Sequence, residues 1–515
     1  MMNELKNTIE ASTNVSVTEN GAIGYATTYN KLVDLNFRVP SMRRDGLSHK
    51  DIGDFITSLE VDPVHTVKWL FFIRDVREGL GERKAFNQLF TILFTHDYDV
   101  AVECVKIIAE YGRWKDLVDL CENKNLSLSE FCLNEIETQL REDIKNYTEG
   151  KSISLLAKWL PSVNASKKAR KMARVVAKKL EIPFVTYRKT LSKLRAYLDV
   201  TEVKTCSNRW DEIDYNKVSS NANLKYANAF MKHDSQRRLE YLTALKSGNP
   251  SAKMNASVLY PHEIWAKYKS LWSEDDAYEA MWNNLKDMGD CGNTLCVVDV
   301  SGSMYWTDLG GFCAGDVAQS IGTYFAERCS GEYKNKMILF SSSPRYIDIS
   351  GLSTLRDKMA LLNSYNDCSN TNIERTFDVI LETAVNNNIP QEELPKNILI
   401  ISDMEFDSAV GYTDFYTRRE LTPLFETIKK KYEKAGYQLP RLVFWNVNSR
   451  TNTIPVTTNE YGVALVSGYS VNIVKMIMSG ELDPWMALKS TLDSSRYDAI
   501  TKVFQNIKSN GYEQS

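Results

Sequence analysis

Residues 294–303 read Thr-Leu-Cys-Val-Val-Asp-Val-Ser-Gly-Ser. The first part of this stretch is a run of apolar and β-branched residues, which is typical of a strand buried inside a parallel sheet. It ends in Asp299, Ser301 and Ser303, which place one carboxylate and two hydroxyl groups on a tight turn. Such oxygens are hard ligands that suit a divalent cation. The stretch therefore predicts an α/β domain with a metal-binding turn at a strand end.

The same turn has a simpler interpretation, because Asp and Ser are also favoured in turns and at helix starts. Two later segments favour the metal site. Asp403 ends a second β-branched run, Lys-Asn-Ile-Leu-Ile-Ile-Ser-Asp over 396–403, and Thr371 directly precedes a helical pattern. Doubly wound sheets bind ligands at the carboxyl ends of their strands, so these side chains are expected to converge.

We therefore predict one site for Mg²⁺, or alternatively Mn²⁺ or Ca²⁺. Its predicted ligands are Asp299, Ser301, Ser303, Thr371 and Asp403. Two carboxylates roughly balance a dication and leave a coordination position open for an acidic group of a partner. Cys368 has no histidine near it in sequence and is expected to be a small packed side chain. Glu405 and Asp407 are expected either to support the ligands or to be surface charge.

Strands and helices alternate after about residue 290. Strands are expected near 294–300, 335–341, 396–402, 441–447 and 462–467. Helices are expected near 312–329, 372–387, 414–435 and 470–479, with further helix over 484–507. Alternation of this kind predicts a doubly wound, mostly parallel sheet with helices on both faces.

The chain before residue 290 has a different pattern. From about residue 50, apolar residues recur at the 3.6-residue period of helices and are interrupted by short polar or glycine turns. Helices in succession without strands favour an all-α helical-repeat array with divergent repeats. We predict an extended N-terminal arm over 1–35, a helical-repeat domain over 36–290 and an α/β domain with a C-terminal helix over 291–515.

Composition indicates a globular protein in the cytoplasm. The chain has 515 residues, 43% of them hydrophobic, and a net charge of −3. No apolar run is long enough to span a membrane, and the N-terminus lacks the apolar core of a secretion signal, so no membrane partner is expected. The nine cysteines are scattered without a Cys-x-x-Cys pair, which argues against disulfides and structural zinc.

Positive charge is concentrated in one part of the helical region. Residues 151–238 carry 20 Lys and Arg against 7 Asp and Glu. Several of these cations share one face of two predicted helices, interleaved with Tyr187 and Tyr197. The predicted RNA-binding residues are Lys167, Lys168, Arg170, Lys171, Arg174, Lys178, Arg188, Lys189, Lys193 and Arg195. Such a stripe attracts phosphate backbones, and exposed aromatic rings can stack on unpaired bases.

This pattern favours single-stranded or small structured RNA as the partner. Two alternatives remain, because Lys and Arg also cover ordinary solvent-exposed helix faces and the acidic remainder of the chain offers a complementary surface. Charge counts alone do not decide between these interpretations.

A second basic cluster lies over residues 74–83, Arg-Asp-Val-Arg-Glu-Gly-Leu-Gly-Glu-Arg. Its Gly-x-Gly follows a helical pattern and lacks a third glycine, so it does not meet the dinucleotide-binding fingerprint. Arg74, Arg77 and Arg83 are possible phosphate contacts. Alternatively, they pair with the adjacent acids in an interhelical turn where Gly79 or Gly81 takes positive φ.

Further motifs occur in order along the chain. Examples are Tyr-Gly-Arg-Trp-Lys-Asp over 111–116, Ala-Lys-Trp-Leu-Pro-Ser over 157–162, Leu-Tyr-Pro-His-Glu over 259–263 and Val-Ser-Gly-Tyr-Ser over 466–470. Together with the Asp299 turn and the 74–83 cluster, they resemble a family that joins TROVE-like, HEAT-like helical repeats to a C-terminal von Willebrand factor A domain. This family is distantly similar to the Ro autoantigen ribonucleoproteins.

The resemblance implies a metal-ion-dependent adhesion site. In that pattern Ser301, Ser303 and Thr371 ligate directly, and the two acids bind directly or through water. This chain has Ser369-Asn370 where the pattern prefers two glycines. In the Ro proteins, helical repeats are closed into a ring by the A domain and bind small noncoding RNAs and single-stranded RNA ends, so the resemblance implies a similar ribonucleoprotein role.

The sequence thus favours a non-enzymatic RNA-binding scaffold with a metal-ion-dependent adhesion site. The alternative is a protein-interaction scaffold that captures an acidic group of a partner through the bound metal. A third possibility is a metal-assisted phosphoesterase that uses Asp299 and Asp403.

Overall fold

The computed structural model describes residues 13–122, 125–270, 276–408, 422–459, 461–478 and 481–512. Contacts divide the chain into two compact units. The sheet unit comprises the described residues within Met1–Val61 and Ser257–Ser494, and the helical unit those within Asp62–Ala256 and Ser495–Ser515. This division differs from the predicted boundary near residue 290. In the structure, that position lies just before the first long strand, inside the sheet unit.

A six-stranded sheet forms the centre of the sheet unit. The strands are β3 Thr294–Asp299, β4 Lys336–Phe340, β5 Arg345–Asp348, β6 Asn397–Ser402, β7 Arg441–Asn446 and β8 Val463–Ser467. Their order across the sheet is β5-β4-β3-β6-β7-β8. All neighbours pair in parallel except the edge strand β5, which runs antiparallel to β4. The five parallel strands lie where the apolar runs predicted them. β5 was not predicted, because Ile347 is its one buried residue and the segment has no apolar run.

Helices accompany these strands. Their bounds are Lys31–Phe37, Val39–Asp45, His49–Val61, Pro261–Lys269, Asp276–Asn283, Ser303–Trp306, Ala314–Ala326, Leu355–Asn363, Ile373–Asn386, Leu424–Lys434, Val474–Met478 and Pro484–Leu492. Every residue of Ala314–Ala326 is buried, and so is every residue of β3, β7 and β8. This burial is expected for a parallel sheet whose faces are covered. The helix predicted from 414 is observed from Leu424, and residues 409–421 lie outside the described part.

The prediction of an extended arm over residues 1–35 is wrong for its described part. Two short antiparallel strands, β1 Ser16–Val17 and β2 Ile23–Gly24, form a hairpin, and Lys31 begins a helix capped by Asn30. The hairpin forms its hydrogen bonds with loops that follow β6 and β7. Its polar, aperiodic sequence gives no sign of those distant partners. Residues 1–12 lie outside the described part of the chain.

The described part of the helical unit contains helices and no strand. The helices are Pro63–Arg74, Lys84–His96, Tyr98–Val105, Ile108–Tyr111, Trp114–Leu120, Leu126–Thr148, Leu156–Trp159, Lys167–Lys179, Phe184–Tyr197, Thr201–Cys206, Ser220–His233, Ser235–Lys246 and Asp498–Tyr512. The helical character of this region is thus observed as predicted. The chain's last helix was predicted as part of the α/β domain over 291–515, but it belongs to the helical unit.

The segment predicted as continuous helix over 484–507 is broken. A short 3₁₀ turn, Ser495–Tyr497, separates Pro484–Leu492 from Asp498–Tyr512. In this turn the Arg496 guanidinium donates to the Asp75 carboxylate at 2.7 Å. Tyr497 stacks on Tyr111 with ring centroids 5.7 Å apart. These contacts anchor the last helix within the helical unit.

Candidate metal centre and basic face

The sheet brings the two predicted acidic ligands to one edge. Asp299 is the last residue of β3, and Asp403 directly follows β6. These strands are parallel neighbours in which Val298 lies opposite Ile401. Both acids therefore leave the sheet at the carboxyl ends of adjacent strands, as the apolar runs predicted.

Hydrogen bonds join four of the five predicted ligands. The Ser301 amide donates to Asp299 Oδ1 at 2.9 Å, and the Ser301 and Ser303 hydroxyl oxygens lie 3.2 Å apart. Ser303 in turn hydrogen-bonds the Asp403 carboxyl group. The turn thus holds its two hydroxyls between the two acids.

The fifth predicted ligand, Thr371, is 1% exposed on the adjoining loop. The Gly302 amide donates to the Ser369 carbonyl at 3.1 Å, so this loop lies against the Asp299 turn. A Cβ on Gly302 would approach the Cys368 carbonyl oxygen to 2.9 Å, which explains the glycine. The loop follows its path without the two glycines of the family pattern, and Cys368 takes the positive φ of 51°.

Burial disfavours the charged forms of both acids in this cluster. Burial, followed by repulsion from Asp403, raises the pKa of Asp299 to about 7. Burial also raises the pKa of Asp403, and the Arg450 guanidinium opposes that rise by donating to Asp403 Oδ2 at 3.1 Å. One guanidinium therefore faces a pair of wholly buried acids. A dication between them would lower both pKa values.

The donor set fits a hard dication. Adjacent ligands of an octahedral ion with Mg–O bonds of about 2.1 Å lie roughly 3 Å apart, close to the 3.2 Å between the Ser301 and Ser303 oxygens. No three His, Cys, Asp or Glu side chains of the described residues form a metal-holding group. The candidate centre is of another kind, since it combines two carboxylates with three hydroxyls. Asp299, Ser301, Ser303, Thr371 and Asp403 would hold the ion.

Three residues at this centre were not predicted as parts of it. Ser402 donates to Asp299 Oδ2 at 2.5 Å, and Arg450 contacts Asp403. Ser449 is the third residue. Its hydroxyl donates to Glu405 at 3.2 Å and thereby fixes the loop that carries Arg450. Their positions in the sequence could have indicated this role. Ser402 ends β6, and the 447–450 loop follows β7, the next strand at the same edge.

Glu405 supports the centre and is not a surface charge. It is 0% exposed and accepts the amides of Arg450 at 2.7 Å and Thr451 at 2.9 Å. It also accepts the Glu19 amide at 2.9 Å. A buried carboxylate satisfied by three backbone donors fixes the loops that supply them. Asp407 is half-buried, and its amide donates to the Thr371 carbonyl at 3.0 Å.

The helical unit places most of the predicted RNA-binding residues on its surface. They lie on the helices Lys167–Lys179 and Phe184–Tyr197. Nine of the ten are exposed: Lys167, Lys168, Arg170, Lys171, Arg174, Lys178, Arg188, Lys189 and Lys193. We call these nine residues the basic face.

Two predictions about this region need correction. Arg195 is partly buried, and its guanidinium donates to the carbonyls of Ala157 at 2.8 Å and Leu160 at 2.7 Å, so it holds the helix Leu156–Trp159 and the residue that follows it. Tyr187 is 1% exposed and cannot stack on a base. Both side chains point inward on the helix Phe184–Tyr197. Their direction depends on how the helix packs, which a count of charges does not reveal. Tyr197 is 42% exposed.

A concavity of about 550 Å³ opens on the basic face. Arg188, Lys189 and Lys193 line it together with the polar residues Ser162 and Asn164. Positive charges and neutral donors that converge on one hollow suit an anionic group such as a phosphate.

Most cations of the basic face lack an acidic partner. Lys168 pairs with Glu122 at 2.6 Å. The other eight form no ion pair with a carboxylate among the residues that the structure describes. Elsewhere in the same unit cations are commonly paired; examples are Lys106, Lys115, Arg141, Lys158, Lys204, Arg209 and Arg237. The charge of the basic face is therefore left for an external anion or for solvent.

The second basic cluster is largely structural. Arg74 is 0% exposed, and its Nε donates to Asp116 Oδ2 at 2.8 Å, so it is not available to a phosphate. Arg77 is exposed and donates to the Glu110 carbonyl. Arg83 is exposed. Gly81 takes a φ of +73°, as one interpretation of the turn predicted.

Two regions of the chain match domains of unknown function. Residues 293–509 match DUF7788, and residues 166–291 match DUF2828. The boundary between the two matches lies close to the predicted change from helical to α/β sequence. Neither domain description includes an activity.

Two similar proteins cover almost the whole chain. The uncharacterized protein L728 of Acanthamoeba polyphaga mimivirus is 29% identical over 506 residues, which cover 91% of this chain and 85% of that protein. The crystal structure of the RO (RSR) protein of Deinococcus radiodurans is similar with a TM-score of 0.45 at 10% identity, covering 90% of this chain and 99% of that one. In the described part of the chain, no helix has both the length and the apolar character needed to cross a bilayer.

Proposed function

We propose that the protein is a non-enzymatic RNA-binding scaffold that also carries a divalent-cation centre. RNA binds along the basic face of the helical unit, and Mg²⁺, or alternatively Mn²⁺ or Ca²⁺, binds at the Asp299 centre of the sheet unit. The observation that carries the proposal is the basic face itself, on which eight exposed cations have no carboxylate partner among the described residues.

Counterion release favours this partner. A polyanion that neutralises unpaired Lys and Arg side chains releases its condensed counterions, and this entropy drives binding at low salt. Paired cations contribute less, because their charge is already compensated. The basic face gathers eight such unpaired cations on two consecutive helices, and this local concentration favours a polyanion over an ordinary solvated helix surface. The hollow beside Lys189 and Lys193 is large enough to hold a phosphate group, and the exposed Tyr197 ring nearby along the same helix suits an unpaired base.

The test is a fluorescence anisotropy titration of labelled single-stranded and hairpin RNAs over a range of salt concentrations. The variant R188Q/K189Q/K193Q removes three charges from the hollow. We expect weaker binding at low salt and, for single strands, a salt slope reduced by about 2, since each lost phosphate contact removes about 0.7. The matched control K106Q/K115Q/K217Q removes three cations that already pair with carboxylates.

Equal loss of affinity in the two variants would show that net charge, and not the basic face, determines binding. An absence of salt-sensitive RNA binding by the nucleic-acid-free wild-type protein would overturn the proposal.

A second candidate function is capture of an acidic group of a protein partner by the bound metal. Trp306 favours it, because this side chain is 80% exposed at the end of the short helix that begins at Ser303. Its indole lies beside Gly302, where a Cβ would be 3.2 Å from Trp306 Cζ2. An exposed tryptophan next to a metal centre is suited to anchor a partner. Binding of an acidic peptide that is lost on chelation and in Asp299→Ala, with RNA binding retained, would support this function.

A further inference from the structure

The N-terminal hairpin covers the candidate metal centre. Thr18 Oγ1 donates to the Phe406 carbonyl at 2.7 Å, and Gly21 forms an antiparallel β-bridge with Asp407. One side of the hairpin therefore lies along the loop after β6. Tyr25 forms an antiparallel β-bridge with Ile454, so the other side of the hairpin lies along the loop after β7. These two loops carry Asp403 and Arg450. The hairpin is thus hydrogen-bonded to the two loops that carry residues of the centre.

The turn of the hairpin reaches a predicted ligand. Asn20 Nδ2 donates to the Glu405 carbonyl at 2.6 Å and lies 3.4 Å from Thr371 Oγ1. Asn20 itself is exposed, whereas Thr371 beneath it is 1% exposed. A polar amide therefore occupies the outer side of a buried candidate ligand.

The neighbouring residue joins the centre through Arg450. This guanidinium donates to Glu19 Oε2 at 2.6 Å through Nε and to Asp403 Oδ2 at 3.1 Å through Nη1. One cation thus holds a candidate ligand and a carboxylate of the hairpin together. Glu19 presents an acidic group of the chain itself beside the centre, which is the chemistry expected of an external partner.

Burial of the ligands agrees with a covering role. Asp299 and Asp403 are 0% exposed, Ser301 is 1% exposed and Ser303 is 7% exposed. A centre that offers an open coordination position to a partner needs a path to solvent. The exposed turn above it is held by hydrogen bonds and one ion pair, and such surface contacts open at low cost.

We propose that the Glu19–Asn20 turn is an internal occupant of the metal centre, which takes the place of an external acidic group until such a group displaces it. This inference rests on the proposed metal centre. Tethering favours the turn, because its effective concentration at the centre is about millimolar or higher. An acidic partner therefore has to compete with Glu19 for the Arg450 guanidinium and with Asn20 for access to the Thr371 hydroxyl group.

The test compares bound Mn²⁺ in the wild-type protein and in Glu19→Gln/Asn20→Ala. Electron paramagnetic resonance measures how much Mn²⁺ is bound, and water proton relaxation reports how many exchanging water molecules reach the ion. We expect similar Mn²⁺ binding but increased relaxation per bound ion in the variant, because water replaces the turn. Both variant side chains lie on the surface, and thermal unfolding checks that the fold is retained.

Two controls make the outcome decisive. Glu332→Gln/Asn386→Ala changes two exposed residues of the same types in the sheet unit and should leave relaxation unchanged. Asp299→Ala should abolish the specific Mn²⁺ signal. Equal relaxation in wild type and Glu19→Gln/Asn20→Ala, with Mn²⁺ bound to both, would refute the internal occupant alone. A wild-type protein that binds no Mn²⁺ would refute the metal centre as well.

Discussion

Single residues decide which cations of this protein are available to a partner. Arg74 belongs to a sequence cluster whose arginines were predicted as possible phosphate contacts, yet it forms a wholly buried ion pair with Asp116. Lys189 lies in an ordinary helical pattern and is exposed on the basic face. Sequence shows the charge of both side chains but not their environment. The difference between a structural and a recognition role is therefore a matter of burial.

Arg74→Ala should strongly destabilise the helical unit. Removing one partner of a buried ion pair leaves the Asp116 carboxylate uncompensated, which costs about 3 to 5 kcal/mol in free energy of unfolding. The matched control is Arg83→Ala, at an exposed position of the same cluster, where the change should be within about 0.5 kcal/mol. Urea unfolding followed by circular dichroism measures both. Equal unfolding midpoints for the two variants would contradict the structural role of Arg74.

At the scale of elements, the predictable parts were those with a local signature. Apolar β-branched runs predicted β3, β4, β6, β7 and β8, and the two acids at the ends of β3 and β6 followed from parallel pairing. The edge strand β5 and the N-terminal hairpin lack such a signature. The hairpin is held by partners some 385 residues away along the chain, such as the Glu405 carbonyl that accepts from Asn20. No local pattern encodes such contacts.

The contact between the helix Ala314–Ala326 and β3 gives a prediction at this scale. A Cβ on Gly322 would lie 2.5 Å from Val298 Cγ2, so the helix packs against the strand that ends in Asp299 only because this residue is glycine. Val298 is β-branched and fully buried, and it cannot move aside easily. Gly322→Ala should cost about 1 to 3 kcal/mol through overpacking, although alanine favours helices by about 1 kcal/mol.

Thermal unfolding measures this change. The control is Gly351→Ala, because a Cβ at Gly351 meets no atom within 4 Å. A Gly322→Ala protein that unfolds at the same temperature as Gly351→Ala, or above it, would be inconsistent with the close approach of helix and strand.

At the scale of the whole molecule, each compact unit is built from two separate parts of the chain. The sequence boundary near 290 follows a real change of pattern, from helical periodicity to alternating strands and helices. It does not show that residues 13–61 join the sheet unit or that Asp498–Tyr512 joins the helical unit. These assignments depend on long-range contacts, such as the Arg496–Asp75 ion pair. Composition, by contrast, located the basic face, since its charge is concentrated in one continuous segment.

The most direct test of the RNA-binding proposal is ultraviolet crosslinking of the full-length protein to a single-stranded RNA, followed by mass spectrometric identification of the crosslinked peptides. The proposal predicts crosslinks within residues 162–197, reduced in R188Q/K189Q/K193Q and retained in K106Q/K115Q/K217Q. Crosslinks confined to the sheet unit, with none in 162–197 although the RNA is bound, would contradict it.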